Sequence, residues 1–197
     1  MNTTKKRLIV SVGALAVLAV IFVASCGLTG CRSNGENRSN SSAPANTGTT
    51  EIPGLPPDPG EAGKATLAGI DSDNDGVRDD IQRYIAITYP DSEKTREALS
   101  QYAKVIQNAL LDASDKENSI QHAEESDKSQ SCLWYVFGSV DAYGKVLDNL
   151  MPIVLNTDGR NYAYFTYNDQ LGGQVFIDVP YDQRAAACNF DVASLPN

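Results

Sequence analysis

Apolar residues along this chain fall into three regimes, and each predicts a different kind of structure. From Leu8 to about Ala24 the run is unbroken, behind a basic flank of Lys5, Lys6 and Arg7. A positive start, an apolar core and a close in small residues form the pattern of an export signal. The length of the run leaves a retained membrane span as the alternative. From Arg32 to about Ala65 apolar side chains nearly vanish in favour of Ser, Asn, Gly, Thr and Pro. Such a stretch buries too little surface to offset its ordering entropy, so it is expected to be a tether. Its average span is roughly 30 Å, with stiffer chain near Pro53, Pro56, Pro57 and Pro59.

Beyond the tether, residues 66–197 suit one domain of ordinary size. Ile81, Tyr84, Ile85 and Thr88 share a face at helical spacing, which predicts a first helix from about Val77 to Thr88, stopped by Pro90. Ser92 can cap a second helix, in which Leu99, Tyr102, Val105, Ile106, Ala109 and Leu110 repeat with the same period. The polar stretch from Asp115 to Gln130 either continues that helix with a solvated face or breaks into loop. A third helix is predicted over about Ser131–Leu150, with Leu133, Val136, Phe137, Val140, Val146 and Leu147 turned inward and Pro152 marking its end.

After Asp158-Gly159 the period shortens to two. Tyr162 and Tyr164 alternate with Ala163, Phe165 and Tyr167, and Val175, Ile177 and Val179 alternate beyond Gly172-Gly173. Both runs read as strands, and two strands alone are marginal in water, so the pair must pack on the helices. The predicted fold class is therefore α+β: a mostly helical domain of about three helices with a C-terminal β-hairpin.

Charge narrows the partners. The whole chain carries a net charge of −9, and residues 66–197 hold ten basic against twenty-one acidic side chains, a net of about −11. Nucleic acid and anionic lipid surfaces both require a basic face, so neither is expected to be a partner of this domain. A basic protein or peptide suits it better.

The acids are concentrated in one place. Asp71, Asp73 and Asp75 occupy positions one, three and five of a loop with Gly76 at six, Val77 at seven and Asp79 at nine. Alternate carboxylates at this spacing point into a turn that can wrap a hard cation, and glycine lets the backbone bend toward it. The loop resembles those of EF-hands and of thrombospondin type 3 and dockerin repeats. That resemblance implies a Ca2+ ion held by Asp71, Asp73 and Asp75, the Val77 carbonyl, and Asp79 directly or through water. At position twelve an EF-hand has a bidentate glutamate, whereas this chain has Gln82, a neutral and weaker ligand. Asp80 is the alternative donor, poorly directed if the helix has already begun. The lost charge implies an affinity nearer roughly 10⁻⁴ to 10⁻³ M, and a structural role for the ion. An acidic turn at a helix start would also suit the helix dipole with no ion bound.

The cysteines complete the reading. Leu28-Thr29-Gly30-Cys31 resembles the lipobox of bacterial lipoproteins, in which the cysteine is acylated and becomes the new N-terminus; Val23-Ala24-Ser25-Cys26 is a second match. This resemblance implies a signal peptide over 1–30 and a lipid-anchored tether over 31–65. If Cys31 is acylated, Cys26 leaves with the signal and Cys132 and Cys188 remain to pair in an oxidising compartment. Acylation at Cys26 would strand Cys31 as an odd thiol, so Cys31 is preferred.

Catalytic groups are scarce. His122 is the only histidine, set in a polar stretch and read as an exposed residue rather than a general base. Glu124 and Glu125 are adjacent, so on a helix they diverge. Tyr162, Tyr164 and Tyr181 could line the open face of the hairpin as a peptide or sugar surface, or else pack on the helices. The expectation is an exported lipoprotein of the cell envelope, anchored to a bilayer and stiffened by calcium. It would act as a non-enzymatic binding protein of inhibitor or immunity type, with an envelope protein or peptide as partner. The alternative is an envelope-polymer hydrolase.

Overall fold

A computed structural model of the chain describes residues 54–197. The expected signal, the acylation candidates Cys31 and Cys26, and most of the expected tether lie outside that range. Among the described residues there are five α-helices: α1 (Asp79–Thr88), α2 (Glu93–Leu111), α3 (Lys116–Phe137), α4 (Val140–Val154) and α5 (Asp158–Gln170). Short 3-10 segments lie at Gly60–Lys64 and Tyr181–Ala187. None of these helices is long and apolar enough to cross a membrane.

The second helix, α2, stands at the centre. Ser92 accepts the Thr95 N–H at its start, and Ala98, Leu99, Tyr102, Ala103, Ile106, Ala109 and Leu110 form its buried face. Around it pack α1 through Ile81 and Ile85, α3 through Ala123, Cys132 and Leu133, α4 through Leu150 and Val154, and α5 through Ala163 and Tyr167. The most extensive pairing is α2 with α3. The buried face of α3 is unusual, since Ser119, Ser126, Ser129 and Ser131 supply much of it. Small side chains let two helices approach closely, and they leave almost no apolar period to read.

Three features of the sequence reading are corrected. Residues 115–130 neither extend α2 nor form a loop; they begin α3, where the Asp115 carboxylate accepts the Asn118 N–H at 2.9 Å. The helix predicted over 131–150 is two helices. Gly138, at φ +80°, ends α3 in the left-handed conformation, and the Ser139 hydroxyl starts α4 by accepting the Ala142 N–H at 3.1 Å.

The third correction concerns the C-terminal β-hairpin, which does not form: the described residues contain no strand. Residues 161–167 lie in α5, started by Thr157, whose hydroxyl accepts the Arg160 N–H at 3.2 Å. Arg160, Ala163 and Tyr167 are buried at helical spacing, while Tyr162 and Phe165 point to solvent. The alternation of rings was coincident with a helical period whose first member is charged. Residues 174–180 adopt no regular secondary structure.

The last part of the compositional tether, residues 54–65, packs on the domain. The Arg83 guanidinium donates to the Pro56 carbonyl at 2.7 Å, and Gly63 is buried. At the other end, Cys132 and Cys188 form the expected disulfide, with Cα atoms 4.8 Å apart, tying α3 to the tail.

Candidate metal centre

Loop 71–82 enters α1 from a turn with two left-handed residues, Asn74 at φ +59° and Gly76 at φ +89°. A side chain at Gly76 would collide with Lys104, since its Cβ would sit 2.5 Å from Cε. Lys104 reaches over this glycine to donate to the Asp75 carbonyl at 2.8 Å. The glycine therefore serves the backbone angle and leaves room for the Lys104 side chain.

Backbone donors orient the acids. The Gly76 N–H donates to Asp71 Oδ2 at 3.0 Å, Ser72 N–H to Asp79 Oδ1 at 2.8 Å, and Val77 N–H to Asp75 Oδ1 at 2.7 Å. Asp71, Asp73 and Asp79 each present an oxygen to one centre, and these oxygens lie within 4.8 Å of one another. Asp79 is buried at the first position of α1, where the helix dipole favours an anion. Val77 is anchored in the core, fixing the peptide whose carbonyl is the fourth expected ligand.

Gln82 and Asp75 stand beside this triad. The Gln82 amide nitrogen donates to Asp73 Oδ2 at 2.9 Å and to Asp75 Oδ2 at 3.1 Å. This donation holds the Asp73 carboxyl below its ordinary range. Burial, reinforced by the charges of Asp73 and Asp71, pushes Asp75 up. Two oxygens remain buried without any hydrogen bond, Asp71 Oδ1 and Gln82 Oε1. Unmatched buried acceptors are costly, and both belong to residues named as ligands. The donor set is all oxygen, which suits a hard cation.

Asp80 is committed elsewhere. Arg78 grips it with two bonds of 2.9 Å, from Nε to Oδ1 and from Nη2 to Oδ2. The same guanidinium donates to the Ile153 and Val154 carbonyls at 2.9 Å each, covering the C-terminal end of α4. Asn156 donates to Asp80 Oδ2 at 2.9 Å, and Arg160 Nη1 donates to Asn156 Oδ1. Burial alone would raise the Asp80 carboxyl, but Arg78 and Asn156 outweigh it and hold the group low. From α5, Arg160 also donates to the carbonyls of Gly63, Thr66 and Leu67 at 2.7, 3.1 and 3.2 Å.

Arg78 and Arg160 were not singled out from sequence, yet they connect the acidic loop to α4, α5 and the segment before it. A basic residue inside an acidic loop, just before a helix, was the available signal for Arg78. For Arg160 it was the spacing to Ala163 and Tyr167 once a helix is assumed.

The remaining candidates are dispersed. Tyr162 is exposed on α5, Tyr164 turns toward the core, and Tyr181 is exposed on the second 3-10 segment, so no common hairpin face exists. His122 is buried rather than exposed, with Nε2 2.9 Å from Asp112 and Nδ1 3.3 Å from Glu125, joining the end of α2 to α3. A cavity of about 270 Å³ is lined by Lys94, Tyr135, Val136, Val192, Ala193 and Asn197. Comparison of the chain with protein-family models, with curated proteins and with solved structures returns no match.

Proposed function

We propose that this chain is an exported, lipid-anchored protein of the cell envelope whose helical domain binds one calcium ion in loop 71–82 and serves as a non-enzymatic binding module. The observation that carries the calcium reading is the convergence of Asp71, Asp73 and Asp79 beside two buried, unmatched oxygens of Asp71 and Gln82. Asp75 and the Val77 carbonyl complete the donor set. A half-turn of the Gln82 amide exchanges nitrogen for oxygen in nearly the same space, so this residue can serve either as an internal donor or as a neutral ligand. The ion's role is structural: at ten times its dissociation constant it stabilises the fold by about 1.4 kcal/mol.

The anchor rests on the basic flank, the apolar run and the lipobox ending at Cys31. Several acyl chains together give stable attachment where one would be marginal. The acidic domain favours a basic partner. The hydrolase alternative has no specific observation in its favour and is not carried further.

Two variants test this reading. Asp73→Ala combined with Asp75→Ala is expected to lower the melting temperature relative to the parent when calcium is supplied and to abolish the response to chelator. An equal response to chelator in both proteins would overturn the site. Cys31→Ser is expected to yield protein without acyl label, and continued labelling would move the anchor to Cys26.

A further inference from the structure

We propose that Lys104, on the central helix α2, is a built-in counter-ion of loop 71–82 that competes with calcium and so sets how weakly the loop binds it. The competition rests on the calcium reading above and names what regulates that site. Among the described residues, Lys104 is the one basic side chain that hydrogen-bonds to residues 71–77, through the 2.8 Å bond from Nζ to the Asp75 carbonyl. Other bases near the loop are engaged elsewhere. Arg78 holds Asp80 and the end of α4, and Arg83 donates to the Pro56 carbonyl.

Packing does not account for where this lysine lies. Its neighbours Ala103 and Ile106 are buried, whereas Lys104 is exposed. Its stem nevertheless runs against the loop, where a Cβ on Gly76 would lie 2.5 Å from Cε and 2.6 Å from Nζ. Only a residue without a side chain admits the ammonium there.

Charge gives the reason. Asp71, Asp73, Asp75 and Asp79 gather four carboxylates within nine residues. Burial foremost, with the charges of Asp73 and Asp71, pushes the Asp75 carboxyl up, and the charge of Lys104 acts against that rise. The ammonium therefore does for these acids in part what a bound cation does in full. Calcium entering the loop adds two positive charges beside it, and like charges at short range oppose each other. Gln82 already lacks the anionic oxygen of position twelve, and Lys104 offsets a further charge from outside the loop. It holds the loop's shape when the ion is absent and lowers the affinity when calcium arrives.

The test uses the full chain in detergent micelles, stripped by chelator, and Lys104→Met, whose unbranched stem crosses the same glycine without a charge. Lys116→Met, which removes an equal charge at the exposed start of α3, is the control. In calcium titration at low salt, Lys104→Met is expected to bind about three- to tenfold more tightly than the parent, and Lys116→Met to match the parent. At about 0.5 M salt, where charges are screened beyond a few ångströms, the advantage of Lys104→Met is expected to shrink. Melting reads the same coupling from the other side. In chelator Lys104→Met is expected to melt below the parent, and saturating calcium is expected to narrow that deficit. A lysine that only supports the loop would give the same deficit in both conditions and no gain in affinity. The proposal is overturned by affinity equal to or below the parent's, by an equal gain in Lys116→Met, by a gain that salt leaves unchanged, or by an equal melting deficit with and without calcium. Calcium heat of the same strength from parent and Lys104→Met removes only the competition. No heat from either protein removes the ion and the competition with it.

Discussion

A guanidinium taken out of water must have its N–H groups matched. Arg78, 1% exposed, does so with the Asp80 carboxylate and the carbonyls of Ile153 and Val154. Replacing it leaves a half-buried carboxylate and a helix end unmatched, which typically costs about 3–5 kcal/mol when a buried pair is broken. Arg78→Met is expected to lose stability of that order in urea unfolding. A loss below about 1 kcal/mol would show the pair to be as weak as a surface one. Lysine is a poor substitute, because a point charge cannot serve a carboxylate bidentately and two carbonyls together. The neighbouring ligand candidates were legible because their spacing is local: positions one, three, five and nine lie within a few residues of one another. Arg78 was not, because the Ile153 and Val154 carbonyls that it covers lie more than seventy residues away and its own type reads as surface.

Helices end where local chemistry ends them, and the two boundaries misjudged from sequence show why periodicity alone is insufficient. Between α3 and α4 the apolar period runs on without a gap, but Gly138 takes a left-handed conformation and Ser139 offers a cap. A Cβ at Gly138 would meet nothing within 4 Å, so Gly138→Ala tests the backbone alone. Thermal or urea unfolding is expected to show a loss of roughly 1–2 kcal/mol, the penalty of an L-residue held left-handed. An unchanged midpoint would mean that the break is set elsewhere. In α5 the misleading feature was tyrosine. Rings at 162 and 164, set against Ala163, Phe165 and Tyr167, look like a strand by alternation and by propensity, yet Thr157 caps the segment and Arg160, Ala163 and Tyr167 share the buried side. Propensity gave way to tertiary contact, since Arg160 is buried only because Gly63, Thr66 and Leu67 supply carbonyls to it. The serine-rich face of α3 was silent for a related reason: side chains small enough for close helix contact carry no apolar signature.

Taken together, the described chain is held at both ends. The disulfide closes a sequence separation of 56 residues, which by chain entropy contributes about 4 kcal/mol, and it binds the tail to α3. At the entry, the acidic loop is joined to the helices by Arg78, Lys104 and the Asp79–Ile70 backbone bond of 2.9 Å. An ion there would draw together Asp71, Asp73 and Asp79, whose charges otherwise repel, and would fix the approach of the preceding chain to α1. The proposed role of loop 71–82 depends on that ion. Titration calorimetry on the full, tag-free chain, stripped by chelator and then supplied with calcium at neutral pH, addresses it. The expected result is a single site with a dissociation constant of roughly 10⁻⁴ to 10⁻³ M. No heat up to about 10 mM calcium, well past the weak end of that range, would contradict it.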